Sequence, residues 1–138
     1  KWDLAREAGA ADVIDPAADG AAKALLKATG GVAAAVDFVG SGPSFTFGFG
    51  APRKGGRLVC VGLIGGSATV VPLMVSMKAV SITGSYVGSL AELQELMAIG
   101  RSGALPPMPL VPRPLADANA VLDELRAGRI RGRAVLQA

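Results

Sequence analysis

Two short glycine turns are the parts of this sequence best suited to hold a ligand. One is Val39-Gly40-Ser41, at the end of an apolar run, and the other is Val61-Gly62-Leu63, which continues to Gly65-Gly66. Glycine has no Cβ, so a flat ligand can approach the main chain closely. In an open parallel sheet, ligands bind beyond the carboxyl ends of the strands. The turns therefore predict a ligand crevice, although tight strand-to-helix turns also need glycine and each turn alone is a weak signal.

Side chains for acid–base or metal chemistry are scarce. The sequence has no histidine and a single cysteine, which excludes the usual general base and the commonest zinc ligand. Asp12, Asp15 and Asp19 lie close together but have no His or Cys nearby, so they predict a poor metal site. Cys60 lies within an apolar run and is interpreted as a small core residue. We therefore predict binding residues here, with no catalytic residue and no metal ligand.

Asp37 is the most unusual single residue, because it interrupts an otherwise apolar run. A buried carboxylate must be paired or hydrogen-bonded. The sequence therefore predicts a structural partner for Asp37 rather than a catalytic role.

Alternating strands and helices are expected to position these turns. Helical patterns separate the apolar runs, and the helix that Ser89 caps is expected to turn Leu90, Leu93, Leu96 and Met97 inward. The alternation favours an α/β fold with a parallel sheet. Five prolines between Pro106 and Pro114 exclude a central strand there. The predicted strands are Ala11–Ile14, Ala33–Val39, Arg57–Leu63, Val80–Gly84 and Arg133–Gln137.

Composition excludes several classes of protein. At 138 residues, 51% hydrophobic and with a net charge of +3, the chain is suited to one packed domain and not to disorder. The basic run from Arg126 to Arg133 has no aromatic residues beside it, so we expect no nucleic-acid partner. No apolar run approaches a membrane span, so no membrane partner is expected. A lone cysteine fits a reducing compartment and predicts a cytoplasmic location.

Several motifs, in order, resemble the medium-chain, zinc-dependent alcohol dehydrogenase family. They cover essentially the whole chain: Leu4–Ala10, Val36–Ser41, Arg53–Leu63, Ile82–Ser89 and Ala127–Val135. The resemblance implies a partial doubly wound (Rossmann) parallel sheet with flanking helices that lacks the first strands. The runs at 33–39, 57–63 and 80–84 would be its fourth, fifth and sixth strands, consecutive parallel neighbours. The run at 11–14 would be the third, expected either to move beside 33–39 or to pair with another chain.

The resemblance also implies a domain assignment. Residues 1–138 would be the C-terminal portion of a dinucleotide-binding domain, with the tail from about residue 106 returning toward a catalytic domain. The opening Trp2–Gly9 is typical of a helix already under way. The family's Gly-x-Gly-x-x-Gly turn, which seats the pyrophosphate, does not occur in these residues. We therefore expect the chain alone to be inactive and to bind a dinucleotide weakly or not at all.

Nine cofactor-binding residues follow from the resemblance, position by position. Three would pass the adenosine side, three would flank the nicotinamide ring, two would offer main-chain groups to its carboxamide, and an arginine would meet the pyrophosphate. Each has a simpler alternative as a strand end, a turn residue or a surface arginine. In that order they are Phe38, Val39 and Gly40; Val61, Gly62 and Leu63; Ser85 and Val87; and Arg133.

The implied function is hydride transfer between an alcohol or carbonyl compound and NAD or NADP, with zinc held elsewhere in the parent protein. A homodimer or homotetramer is implied as well. A zinc-free quinone or enoyl reductase of the same superfamily is the nearest alternative. An S-adenosylmethionine-dependent methyltransferase is another, because its fold also contains a stretch like Lys54–Val59. A non-catalytic interaction module is the third.

Overall fold

A computed structural model describes residues 2–138, which form two compact units. One comprises Asp12–Gly88, and the other comprises Ser89–Ala138 together with the residues up to Ala11. The helices are α1 Trp2–Glu7, α2 Ala21–Thr29, α3 Gly42–Gly50, α4 Pro72–Lys78, α5 Leu90–Arg101 and α6 Ala118–Arg126. The strands are β1 Val32–Asp37, β2 Pro52–Cys60, β3 Ser81–Gly84, β4 Leu110–Pro114 and β5 Arg133–Gln137.

The sheet of the larger unit has the order β1-β2-β3, with both pairs parallel. Leu58, at its centre, is opposite Ala35 on one side and Ile82 on the other. The prediction of three consecutive parallel neighbours is therefore confirmed. The first two strands end earlier than predicted, at Asp37 and Cys60, because the next residues form hydrogen bonds between loops instead of continuing the ladder.

The core of the larger unit is formed by small and branched residues around the central strand. Leu58 is fully buried, and Ala21, Ala51 and Val80 are buried with it. Helix α3 packs closely there, since a Cβ on Gly48 would lie 3.0 Å from Leu58 Cδ1. The carboxyl end of α3 is closed by the Lys78 ammonium, which donates to the carbonyl oxygens of Phe49 (3.1 Å) and Gly50 (3.0 Å).

The predicted strand Ala11–Ile14 is wrong, and so is its expected move beside β1 within this chain. The structure has no strand at these residues. The Asp12 carboxylate accepts the Val13 N–H at 2.7 Å, and the Asp15 carboxylate accepts the Ala17 N–H at 2.9 Å. Such local bonds compete with a sheet ladder for the backbone donors. Pairing of this segment with another chain stays a prediction.

The smaller unit contains a two-stranded parallel sheet of β4 and β5. Strand β5 has the predicted bounds. The proline-rich stretch forms β4, which has only one partner strand among the described residues, as the exclusion of a central strand requires. A 3-10 turn, Leu115–Asp117, leads into α6, and Val121 of α6 is the buried apolar residue of this unit.

Helix α5 begins where predicted, but its apolar face is not buried. Ser89 accepts the Glu92 N–H, and the Glu92 carboxylate accepts the Ser89 N–H, which forms a capping box. The inward orientation expected for four residues of α5 is wrong, since all are exposed: Leu90, Leu93, Leu96 and Met97. Capping is local, whereas burial needs a facing surface. Among the described residues, no helix has the length and apolar character needed to cross a membrane.

Candidate functional site

The three strands of the larger unit point the same way, so the segments that follow them lie along one edge of the sheet. These are the loop after β1 (residues 38–41), the first part of the loop after β2 (residues 61–66) and the turn after β3 (residues 85–88). Eight of the nine predicted binding residues lie in these three segments. The parallel strand order therefore brings them to one edge, as the glycine turns predicted.

Asp37, the last residue of β1, fixes the first loop. Its Oδ1 accepts the N–H groups of Val39 (2.9 Å) and Gly40 (3.0 Å), and its Oδ2 accepts the Ser44 hydroxyl at 3.0 Å. Ser44 also forms the reciprocal cap with Ser41 at the start of α3. The predicted structural partner of Asp37 is therefore found, and it consists of two main-chain N–H groups and one hydroxyl.

These hydrogen bonds also decide the ionisation of Asp37. Burial raises the pKa of the carboxyl, but the bonds from Gly40, Val39 and Ser44 together outweigh burial and hold that pKa below its usual range. Burial, and then the negative charge of Asp37, raises the pKa of the Cys60 thiol. Asp37 is therefore an anion at neutral pH, and Cys60 is an unreactive thiol.

The loops after β1 and β2 are bonded to each other through their main chains. The Asp37 carbonyl accepts the N–H groups of Val61 and Gly62, both at 2.9 Å. Further along, the Val39 carbonyl accepts the Ile64 N–H at 3.2 Å, and the Gly40 carbonyl accepts the Gly65 N–H at 3.0 Å. These four main-chain bonds join the two loops into one surface.

Two glycines make this close approach possible. A Cβ on Gly62 would overlap the Val39 carbonyl carbon and the Gly40 nitrogen, and a Cβ on Gly40 would overlap the Gly62 oxygen. Gly40 also has a φ of +71°, which favours glycine. The glycines are therefore needed where the loops meet, which is a more specific role than a tight turn.

Apolar side chains project from this joined pair of loops. Phe38 and Leu63 are 76% and 75% exposed, and Val39 is 46% exposed. Gly40 and Gly62 border a cavity of about 230 Å³ that Asp37, Ser41 and Cys60 also line. Phe38 and Val39 border a wider cavity of about 470 Å³ along β1. The surface suits contact with a flat, apolar ligand face.

The turn after β3 is different in character. The Ser85 N–H donates to the Cys60 carbonyl at 2.9 Å, which ties the turn to the end of β2. Tyr86 and Val87 are exposed, and Val87 has a φ of +50°, an outlier for a β-branched residue. Among residues 2–138, the Ser85 carbonyl and the Val87 N–H have no backbone partner. The Tyr86 N–H and carbonyl and the Val87 carbonyl have none either, so the turn leaves several main-chain donors and acceptors open to a ligand.

Arg133, the ninth predicted residue, belongs to the smaller unit. It is the first residue of β5, is exposed, and its N–H donates to the Pro109 carbonyl at 2.9 Å. Its pyrophosphate contact stays a prediction.

Sequence reasoning missed two elements of this edge. It identified neither the contact of the Ser44 hydroxyl with the Asp37 carboxylate nor the role of the Asp37 carbonyl. Seven residues separate Ser44 from Asp37, so their contact depends on how α3 packs beside β1. The Ser41-x-x-Ser44 spacing carried only the local capping signal.

The described residues do not fit a zinc site. Nowhere in residues 2–138 do three His, Cys, Asp or Glu side chains come together in a way that could hold a metal ion. Cys60 is the one cysteine in the sequence, and its thiol is neutral. That this chain holds no metal ligands stays a prediction.

Comparison with known proteins identifies the family. Residues 1–101 match the family model described as zinc-binding dehydrogenase, and the chain belongs to that family. An alcohol dehydrogenase from Geobacillus stearothermophilus is 34% identical over 99% of this chain and 40% of its own length. The NAD-dependent alcohol dehydrogenase of Sulfolobus acidocaldarius is 32% identical over 78% of this chain and 31% of its own length.

A solved structure supports the same assignment. The alcohol dehydrogenase of Aeropyrum pernix is 34% identical, with a TM-score of 0.87 over 99% of this chain and 40% of that one. The chain thus spans about 40% of the length of the first of these relatives and of this structure. The predicted family and Rossmann-type fold are confirmed, and the methyltransferase alternative does not fit them.

Proposed function

We propose that this chain is the C-terminal portion of the dinucleotide-binding domain of an alcohol dehydrogenase. Its tail from about residue 106 would then return toward a catalytic domain. The observation that carries the proposal is the edge of the β1-β2-β3 sheet. There, Gly40 and Gly62 let two loops meet as one apolar surface beside an unbonded donor and acceptor. A nicotinamide ring, flat and with a carboxamide at one side, has the matching chemistry.

The proposed cofactor contacts are of two kinds, loop residues that line the cofactor and main-chain groups that form hydrogen bonds to it. Phe38, Val39 and Gly40 would line the adenosine side, and Val61, Gly62 and Leu63 would flank the nicotinamide ring. The Ser85 carbonyl would accept from the carboxamide amine, and the Val87 N–H would donate to the carboxamide oxygen. These groups bind and orient the cofactor, which when bound supplies the hydride acceptor.

NAD is the proposed cofactor, with the Sulfolobus acidocaldarius relative named as NAD-dependent in support. NADP stays open as the second dinucleotide. A small alcohol or its carbonyl product is the proposed substrate. Since the sequence has no histidine and the described residues have no cluster that could hold a metal ion, their proposed contribution is cofactor binding alone.

The test is oxidation of a series of small alcohols by the full-length gene product, with NAD⁺ or NADP⁺. The ultraviolet absorbance of the reduced nicotinamide is followed, and a run without dinucleotide is the control. We expect alcohol-dependent reduction, with NAD⁺ preferred. Quinone or enoyl reduction without alcohol oxidation would favour the zinc-free reductase alternative, and no dinucleotide binding at all would contradict both.

Arg133 tests the pyrophosphate contact separately. Arg133→Ala in the full-length gene product should weaken dinucleotide binding by about 1.5–3 kcal/mol, the scale of a charge-assisted hydrogen bond. Arg101→Ala is the matched control, because Arg101 is also exposed but lies at the end of α5. Equal affinity in the two variants, measured by calorimetry, would make Arg133 an ordinary surface residue.

Two further proposals concern the cellular location and the oligomeric state of the protein. The lone cysteine supports a cytoplasmic location, and family membership supports a homodimer or homotetramer. Light scattering of the full-length gene product gives the oligomeric state directly, and a monomer at micromolar concentration would contradict the second proposal.

A further inference from the structure

We infer that Asp37 is the positioning residue of the cofactor surface. Its carboxylate and its main-chain carbonyl hold the two loops that would contact the dinucleotide. The inference rests on the proposed function and adds to it a residue that has no contact role of its own. Asp37 is only 7% exposed, so it acts through the loops.

The number of loop donors that converge on Asp37 is the first argument. Its Oδ1 takes the N–H groups of Val39 and Gly40, and its carbonyl takes those of Val61 and Gly62. Four N–H groups from two loops therefore end on one residue. All four belong to residues proposed to line the cofactor surface.

The direction of these bonds is the second argument. Because the Val39 and Gly40 N–H groups point back to the carboxylate, they are not available to a ligand, and the loop presents Phe38 and Val39 side chains instead. Without the carboxylate, these two N–H groups lose their acceptor and the loop must turn toward water or another partner. Leu63 would move too, since the Val39 carbonyl holds the next residue, Ile64.

Geometry and charge can be separated at this position. Asparagine keeps an oxygen that can accept both N–H groups, and its amide nitrogen can donate to the Ser44 hydroxyl, which then turns to the Ser41 carbonyl at 3.1 Å. Alanine keeps neither. If Asp37 acts by positioning, asparagine preserves the function, whereas an electrostatic role would be lost in both variants.

The experiment measures NADH affinity by fluorescence, and KM and kcat for NAD⁺, in the full-length gene product. Asp37→Ala should raise the dissociation constant about tenfold or more, equivalent to about 1.4 kcal/mol. KM for NAD⁺ should rise with it while kcat at saturating NAD⁺ changes little. Asp37→Asn should stay within about threefold of the unsubstituted protein. Ser44→Ala removes one of the three hydrogen bonds to the Asp37 carboxylate, so it gives a milder test if Asp37→Ala does not fold.

Val80→Ala is the matched control for stability. Val80 is buried at the opposite end of the sheet, so its truncation destabilises the unit without touching the loops. It should lower the melting temperature and leave the dissociation constant unchanged. Unchanged affinity in Asp37→Ala, or in Ser44→Ala where Asp37→Ala does not fold, would overturn the inference. Equal losses in Asp37→Asn and Asp37→Ala would overturn it as well. Failure of the unsubstituted protein to bind NADH would instead overturn the proposed function on which the inference rests.

Discussion

The loops after β1 and β2 and the turn after β3 share one edge of the sheet but differ in how they are held and in what they expose. The loops bond to each other and to Asp37, and they present apolar side chains. The turn is tied to the sheet through the Ser85 N–H, and leaves the Ser85 carbonyl and the Val87 N–H without backbone partners among the described residues.

The joined loops therefore present an apolar surface, whereas the turn presents polar main-chain groups. Two loops that are already bonded to each other keep their form without a ligand and gain from burying an apolar face. A turn with unbonded main-chain groups gains a hydrogen bond only when a ligand binds. The positive φ of Val87 in this turn costs conformational energy that ligand binding can offset. Backbone strain of this kind is often stored where a ligand binds.

The largest effect should come from filling the contact between the two loops. Gly62→Ala places a Cβ against the Val39 carbonyl carbon and the Gly40 nitrogen, main-chain atoms that cannot rotate away. We expect the free energy of unfolding to fall by about 3 kcal/mol, the upper range for overpacking. Chemical denaturation measures it.

Gly84→Ala is the control at the end of β3, where an added Cβ meets nothing within 4 Å and φ is not positive. It should leave stability unchanged or raise it slightly, because alanine loses less entropy than glycine on folding. Equal destabilisation by the two alanines would show that the loops are not held in close contact.

A smaller effect should separate two exposed valines. Val87→Gly relieves a left-handed backbone, and after the extra entropy of glycine the net gain should be about 0.5 kcal/mol. Val39 does not have a positive φ, so Val39→Gly should lower the free energy of unfolding by about 1 kcal/mol. Thermal melts of both variants compare them. A loss at Val87 as large as that at Val39 would contradict a strained turn.

Much of this edge was predictable from sequence, and the parts that were not depend on long-range packing. The glycine turns and the apolar runs located the loops, and the isolated carboxylate of Asp37 indicated a hydrogen-bonded partner. The bonds that join the loops could not be predicted, because main-chain partners leave no signature in side-chain type. The predicted strand at 11–14 failed because the Asp12 and Asp15 carboxylates accept local backbone N–H groups. The predicted inward face of α5 failed because its apolar residues are exposed. Apolar pattern shows what can be buried, whereas burial needs a facing surface.

The smallest effect should be a difference in acid sensitivity. The pKa of Asp37 is depressed in the folded protein, so its stabilising contribution is present above the unfolded pKa and is lost as pH falls through the lower folded pKa. Asp37→Asn should therefore flatten the fall in stability below about pH 4. Denaturation midpoints at several acidic pH values measure this.

Glu92 provides the comparison for that titration. The backbone and side chain of Ser89 lower its pKa as well, but Glu92 is fully exposed in the capping box. Glu92→Gln should flatten the acid profile less than Asp37→Asn does. The reverse order would place the main acid-sensitive contact outside the joined loops.

Amide hydrogen exchange of the full-length gene product, with and without NADH, tests the central claim most directly. The four amides already bonded to Asp37, at Val39, Gly40, Val61 and Gly62, should exchange slowly in both states. The Val87 amide should exchange fast without NADH and become protected when it binds. Protection that appears first in the loops on binding, with Val87 unchanged, would contradict the account.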